Sequence, residues 1–357
     1  MNIVIGLDIG GTNSRAAIAP VENGILASPS EFITEKVASK EELRRFIHGL
    51  MSNLKSSGQP VGMAVALAGP VTHHREVTMT NWERPENITI EEFIDWGAPV
   101  DRTIMVNDME AGSHGLIRYL REDKTALTHF DQLTKHDASH HKIPFGNRIF
   151  IAPGTGLGSV GIIETQDAFK GGKGDLLLPL AYPIATELQH TPMPILRGSH
   201  RIISTWLQQE RHIAHPSWDD FVSGRGLAHA YRALRSATST SELDIASGVV
   251  DPAGVVAKAA VMGRDAIAEQ ALSVFYACAG YFCQLMALGF QAFGGVFIGG
   301  RSTMKNRDFI WNSPLLDAFL DNPTQKFLLE QFPVYLVKEN DLNLYGALWL
   351  GFHASEK

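Results

Sequence analysis

Apolar positions along this chain follow two alternating rhythms. Short β-branched runs end in glycine or a polar pair, and longer stretches carry their apolar residues at helical spacing; together they predict an α/β fold. Residues 3–7 (Ile-Val-Ile-Gly-Leu) make a buried-strand run, and residues 15–19 resume it after Asp8-Ile9-Gly10-Gly11-Thr12-Asn13, so a hairpin is predicted. Asn23-Gly24 marks a second turn, and a third strand begins at Ile25, completing a meander. Ser39 and Glu42 form a capping box ahead of Leu43, Phe46, Ile47, Leu50, Met51 and Leu54, which share one helical face. Strands follow at 61–67, stopped by Gly69-Pro70, and at 77–81. A second boxed helix starts with Thr89 and Glu92, and a strand over 103–106 ends in Asn107-Asp108.

The second half opens with a polar stretch, 122–145, that lacks a period and reads as a long surface loop. Its His136, His140 and His141 have no cysteine or acidic partner at metal-ligand spacing and are expected to be solvated. A strand over 148–151 then enters Pro153-Gly154-Thr155-Gly156-Leu157-Gly158 and leaves through 159–163, repeating the strand-turn-strand form of the N-terminus about 145 residues later. Two such hairpins suggest a duplicated fold gripping one polyphosphate from both sides. Glu187 and His190, between Pro183 and Pro192, are placed in a loop. Residues 221–227 form a glycine turn that leads into a helix, where a nucleotide or a simple cap would be equally at home. Residues 271–290 form a twenty-residue uncharged run. Its Ala and Gly content, the charges just upstream and the lack of a Lys/Arg cluster mark it as a buried core helix rather than a membrane span. Gly294-Gly295-Val296-Phe297-Ile298-Gly299-Gly300 is a strand bounded by glycine pairs, 334–337 a last strand and 342–352 a last amphipathic helix. No low-complexity linker separates domains, so hinges are expected in short crossings near residues 110–120 and 340.

Composition narrows the classes. A chain of 357 residues exceeds the usual size of one core, so two domains are expected. With 31 basic against 38 acidic residues, a formal charge of −7 gives no electrostatic reason for a nucleic acid or membrane partner. Only two cysteines, Cys278 and Cys283, are present, in an apolar segment; that excludes a disulfide framework and suggests a reducing compartment. The N-terminus enters a strand directly with no export signal, so the cytoplasm is the expected location.

The chemistry gathers at the strand ends. Glycines at a bend let backbone N–H groups approach a phosphate, with Thr12 and Asn13 adding hydrogen-bonding groups, and Asp8 could hold Mg²⁺ directly or through water. An ordinary Gly-Gly hairpin turn reads the same heptad equally well. Gly6 and Gly11 have P-loop spacing, but Thr12-Asn13 stand where Lys-Ser/Thr is required, which rejects that motif. Asn107-Asp108, at a strand end, is placed where α/β sheets gather ligands, although a helix cap would use the same residues.

Taken in order, these motifs resemble the bacterial glucokinases of the hexokinase, Hsp70 and actin fold superfamily, over nearly the whole chain. Asp8-Ile-Gly-Gly-Thr-Asn-Ser-Arg15 is similar to the first phosphate motif, Val106-Asn107-Asp108-Met109-Glu110-Ala111 to the connecting motif with the catalytic aspartate, and Gly154-Thr-Gly-Leu-Gly158 to the second phosphate motif. Residues 222–227 and 294–300 resemble the adenosine turns. The resemblance implies a two-domain ribonuclease H-like (actin/hexokinase-like) α/β fold with a cleft between the domains. Its small domain would be 1–115, completed by the C-terminal helix 341–357, and its large domain 116–340.

The activity implied is ATP-dependent phosphorylation of a hexose, foremost glucose to glucose 6-phosphate, by a homodimeric enzyme. Asp108 would be the catalytic base. Asn81, Asn107, Glu187, His190 and Asp219 would hold the sugar. Asp8, Gly10, Gly11, Thr12, Asn13, Gly154, Thr155, Gly156, Gly158, Ser223, Gly224, Gly299 and Gly300 would hold Mg·ATP, with Asp8 on the metal through water. Closure of the domains over the sugar would exclude water and limit wasteful ATP hydrolysis. Two departures fall on the sugar side. The family's Glu-Gly-Gly-His loop is Glu187-Leu188-Gln189-His190 here, and Asp219 stands where the family places a glutamate. The Cys/His zinc motif of the related repressor and kinase group is absent. A kinase for another hexose or amino sugar, and a sugar sensor without catalysis, are the alternatives; an Hsp70-like or actin-like ATPase would lack the Asn-Asp pair.

Overall fold

In a computed structural model of the chain, residues 1–10, 14–54, 58–79, 82, 84–122, 126–134, 143–165, 180–238 and 244–355 are described. They form two compact units, one of residues 1–126 with 341–357 and the other of residues 127–340.

The first unit is built on the N-terminal hairpin. Strand β1 (Asn2–Ile9) pairs antiparallel with β2 (Ser14–Glu22), and Asn23 and Gly24, both at positive φ, turn the chain into the short β3 (Ile25–Leu26). β4 (Glu31–Glu35), which sequence reasoning missed because its residues are mostly exposed, lines the far side of β2. Helix α1 (Lys40–Leu54) buries the six predicted apolar residues, and the Glu42 N–H donates to Ser39 Oγ as its cap. β5 (Gln59–Leu67) joins β1 in parallel. A small meander of β6 (Val71–Thr72), β7 (Glu76–Met79) and β8 (Glu86–Thr89) precedes helix α2 (Ile90–Asp95), whose Thr89–Glu92 capping box is formed. β9 (Thr103–Asn107) pairs in parallel with β5 and runs into helix α3 (Asp108–Glu122).

The C-terminal helix (Leu342–Ser355) packs on α3, β1 and β5 and is buried on most of its circumference, so it is a core helix rather than the amphipathic one its sequence suggested. Its Gly346 lies against the Ala111 carbonyl, where a Cβ would approach to 1.7 Å; no other residue fits that contact. This packing also explains why residues 110–120 are not a crossing. They are the interior of α3, and the first unit continues to residue 126 instead of ending at 115.

The second unit repeats the strand plan. β10 (Phe130–Gln132) lies inside the stretch read as a loop, an assignment that three short, mixed residues could not have signalled. β11 (Arg148–Pro153) and β12 (Leu157–Thr165) form the second hairpin, and β13 (Leu180–Ala185) extends it. β14 (Gly295–Ile298) and β15 (Val334–Val337) add in parallel on the other side of β11, with β10 antiparallel at the edge. The order β12-β11-β14-β15 thus mirrors β2-β1-β5-β9: an antiparallel hairpin followed by two parallel strands in each unit. Helices α4 (Gly198–Glu210), α5 (Gly224–Thr238), α6 (Pro252–Val261) and α7 (Ala266–Phe290) cover this unit, followed by the short α8 (Arg301–Lys305), α9 (Arg307–Ile310), α10 (Leu315–Leu320) and α11 (Lys326–Leu329). α7 is long and apolar enough to cross a membrane, but 78% of its most apolar window is buried inside the protein. His136, His140 and His141 lie outside the described residues.

Candidate functional site

The predicted chemistry is distributed over both units. In the first, the β1–β2 register sets Asp8 opposite Arg15, and the guanidinium donates to Asp8 Oδ2 from Nη2 at 2.6 Å and from Nε at 3.2 Å. Its Nη1 donates to Asp341, whose backbone carbonyl accepts the Tyr345 N–H at the head of the C-terminal helix. Burial alone would work against the Arg15 charge. Attraction to Asp8 and Asp341 outweighs it and raises the arginine above its ordinary value. Sequence reasoning missed Asp341, whose signal is an acid one residue ahead of a helical run. Gly10 follows at the strand end, while Gly11, Thr12, Asn13 and Asn81 lie outside the described residues.

At the end of β9, Asn107 turns out to be a structural residue. Its Oδ1 accepts the Met109 N–H at 2.9 Å, capping α3, and its Nδ2 donates to the Gly69 carbonyl at 2.9 Å. The amide is therefore anchored to the backbone at both ends, which fixes its orientation at the end of the strand. The cap allowed for Asp108 is shared with its neighbour. Asp108 opens the helix half-buried, its Oδ1 accepting the Met109 N–H at 2.8 Å.

In the second unit a cavity of about 1040 Å³ is walled by Gly154 and Thr155 of the β11–β12 turn, by Gly224 at the head of α5 and by Gly300 before α8. Hydrogen bonds to backbone carbonyls hold these turns together: the Gly224 N–H donates to the Gly154 carbonyl at 2.8 Å, and the Ser302 hydroxyl donates to the Pro153 carbonyl at 2.5 Å. Gly300 has φ +96°, a left-handed conformation that favours glycine. Lys258, Arg301 and Lys305 supply positive charge at the wall, and Leu272 and Phe275 supply apolar surface. α6, which also lines the cavity, was missed; its signal is Asp251-Pro252, a cap followed by proline at the first helical position, and Asp251 Oδ1 accepts the Gly254 N–H at 2.9 Å.

Four predicted contacts lie off this wall. Ser223 is buried, and its Oγ accepts the Gly226 N–H at the start of α5. Gly158 sits in the ladder opposite Ala152, and Gly299 donates its N–H to the Ile151 carbonyl against the Phe150 ring. Gly156 belongs to the turn itself, its carbonyl accepting the Gly154 N–H at 2.8 Å.

Asp219 is buried and bonded at both oxygens. Its Oδ1 accepts the Leu157 N–H at 2.6 Å and its Oδ2 takes Arg225 Nη2 at 2.7 Å, so it ties the start of β12 to α5. Glu187 and His190 are mostly exposed and flank a single 3₁₀ turn, with His190 Nε2 3.4 Å from Glu187 Oε2.

The sequence profile of the family described as glucokinase matches residues 5–352. The chain belongs to the glucokinase family. Within that family, the glucokinase of Rhizobium meliloti (strain 1021) is 26% identical over 338 residues, spanning 94% of this chain and 87% of its own. That of Saccharophagus degradans is 25% identical over 353 residues, spanning 96% of both. Among solved structures, the glucokinase from Balamuthia mandrillaris in complex with glucose superposes with a TM-score of 0.82 at 20% identity, covering 98% of this chain and 93% of its own. A ROK family glucokinase from Streptomyces griseus in complex with glucose and AMPPNP gives 0.61 at 19% identity, covering 98% and 99%. At those identities the likeness is one of fold, the two-domain actin-like ATPase fold of family members.

Proposed function

We propose that the protein transfers the γ-phosphoryl group of ATP to a hydroxyl of glucose, forming glucose 6-phosphate. The observation that carries this reading is the cavity of the second unit. Three separate glycine turns converge on it, basic side chains edge it and an apolar wall closes it, the chemistry that a polyphosphate joined to a flat base requires. Phosphoryl transfer asks the protein for positioning and charge stabilisation. Asp108 accepts the proton of the attacking hydroxyl, and Glu187 and His190 hold other hydroxyls of the sugar.

Magnesium fits the first unit only in a particular way. Among the described residues no three acidic, histidine or cysteine side chains gather to cage an ion. Asp8 and Asp341, brought together by Arg15, are the two carboxylates that would face it through water, the mode usual for an ion carried in with a nucleotide. Magnesium bound with ATP neutralises charge on the phosphate oxygens. The free, buried Cys278 and Cys283 suit the reducing cytoplasm in which this chemistry would operate.

A coupled assay with ATP over glucose, mannose, fructose and N-acetylglucosamine tests the reading. Glucose should show the highest kcat/KM. Preference for another sugar would move the assignment within the kinases, where Leu188-Gln189 already departs from the family, and no turnover with any sugar by folded protein would refute it.

A further inference from the structure

The 3₁₀ turn that carries Glu187 and His190 holds a buried amide between them. Gln189 is 6% exposed, whereas the acid and histidine on either side of it are open to solvent. Its amide is used at both ends: Nε2 donates to Glu187 Oε2 at 2.7 Å, and Oε1 accepts Ser159 Oγ at 2.7 Å. The orientation follows from the partners, because a carboxylate only accepts and the amide must therefore turn its NH₂ toward Glu187. The main chain adds a third tie, the Asp219 N–H donating to the Gln189 carbonyl at 2.9 Å.

These bonds close a circuit. Leu157, at the start of β12, donates to Asp219; Asp219 donates to Gln189; and Gln189 accepts from Ser159, two residues further along the same strand. Glu187 is thus hung from the strand that leaves the phosphate turn. Arg225 completes the carboxylate of Asp219 on its other oxygen.

We infer that Gln189 is a positioning residue that sets the Glu187 carboxylate for the sugar, a task no side chain performs where the family has glycine at this position. The inference rests on the reading in which Glu187 contacts the sugar. A free glutamate on an exposed turn samples several rotamers, and fixing one oxygen on a buried amide removes that cost before the sugar arrives. The other oxygen is left to receive a hydroxyl. Asp219, which sequence reasoning had set on the sugar, here holds the support instead of the substrate.

Kinetics of substituted enzymes test this. Gln189→Leu keeps the volume and removes the donor. It should raise KM for glucose about tenfold, as for loss of one hydrogen bond to a charged group, with kcat and KM for ATP within about twofold. Gln189→Glu should make KM for glucose rise with pH over a range where the parent is flat, because two carboxyl groups at hydrogen-bond distance can share one proton at low pH and repel at high pH. In a Glu187→Ala background, Gln189→Leu should add nothing further, since it acts through the missing acid. Ser159→Ala, a milder change, should raise KM for glucose by a smaller factor and serves if Gln189→Leu fails to fold.

An unchanged KM for glucose in both Gln189→Leu and Ser159→Ala, with Glu187→Ala strongly impaired, would overturn the inference and leave the sugar site standing. No effect of Glu187→Ala itself would instead remove Glu187 from the sugar and the inference with it.

Discussion

The hairpins β1–β2 and β11–β12 share a strand plan, and at their turn ends they hold acid–arginine pairs in opposite ways; at its far end β11–β12 also carries a buried cross-strand pair, Arg148 with Glu164. In the first, Asp8 and Arg15 face each other across the ladder, with side chains only 13% and 15% exposed, and Asp341 joins them from the C-terminal helix. In the second, no acid sits at the end of β11, which reads Ala152-Pro153. The carboxylate is borrowed from Asp219, 62 residues beyond the Leu157 it binds, and its arginine partner is 58% exposed. One backbone frame therefore supports two kinds of acid–arginine pairing. In the proposed function the charged turn would face the metal-bearing phosphate group. The second turn, which presents glycines and backbone, would there face the body of the nucleotide.

The comparison breaks most sharply at the catalytic end of the first unit. Asp108→Asn should lower kcat by about two to four orders of magnitude with a far smaller effect on sugar binding, as for loss of a general base, measured by steady-state kinetics and glucose titration. Next is Arg15→Ala. It strands Asp8 in a buried position and should cost about 3–5 kcal/mol in denaturant unfolding, in contrast to its counterpart in the second hairpin.

Acid should then separate the units. Burial pushes His114 in the first unit, and His200 and His229 in the second, down to about 4; nearby charge adds to it, His353 at the first and arginines at the other two. These folded-state values lie below the unfolded histidine value of about 6.5, so the unfolded chain binds the extra protons. The stability they protect is complete above about pH 6.5 and is lost as pH falls toward 4. With two such histidines against one among the described residues, the second unit should lose hydrogen-exchange protection first on acidification. Earlier loss in the first unit would reverse the comparison.

Asp219→Glu follows in size. The longer acid is the one the family places at this position, so resemblance alone marks it as acceptable there. With both oxygens already bound in a buried site, the extra methylene should instead cost about 1–3 kcal/mol and raise KM for ATP by displacing the β11–β12 turn. Smallest is Arg225→Ala: the arginine is exposed and the buried Asp219 keeps the Leu157 N–H, so its removal should cost no more than about 1 kcal/mol. A loss as large as that of Arg15→Ala would show the two pairs to be equivalent after all.

Local physics carried much of this protein in its sequence. Both hairpins, the capped helices, the buried apolar helix and the order of the glycine turns follow from side-chain period, turn chemistry and capping, which act over a few residues and leave a local trace. The short strands β4 and β10 were illegible because pairing with a distant partner makes them strands, and their own residues carry no period. The partners of polar side chains were likewise decided by tertiary structure. Asn107, Ser223 and Asp219 read as ligand contacts in a motif, and the fold brings backbone N–H groups or an arginine to each, a supporting task that the motif does not reveal. Asp341 joins Arg15 across 326 residues, and Gln189 meets Ser159 across 30. A sequence determines which groups can donate and accept; only the folded chain determines which of them meet, because a buried polar group must find its partner wherever the packing has placed one.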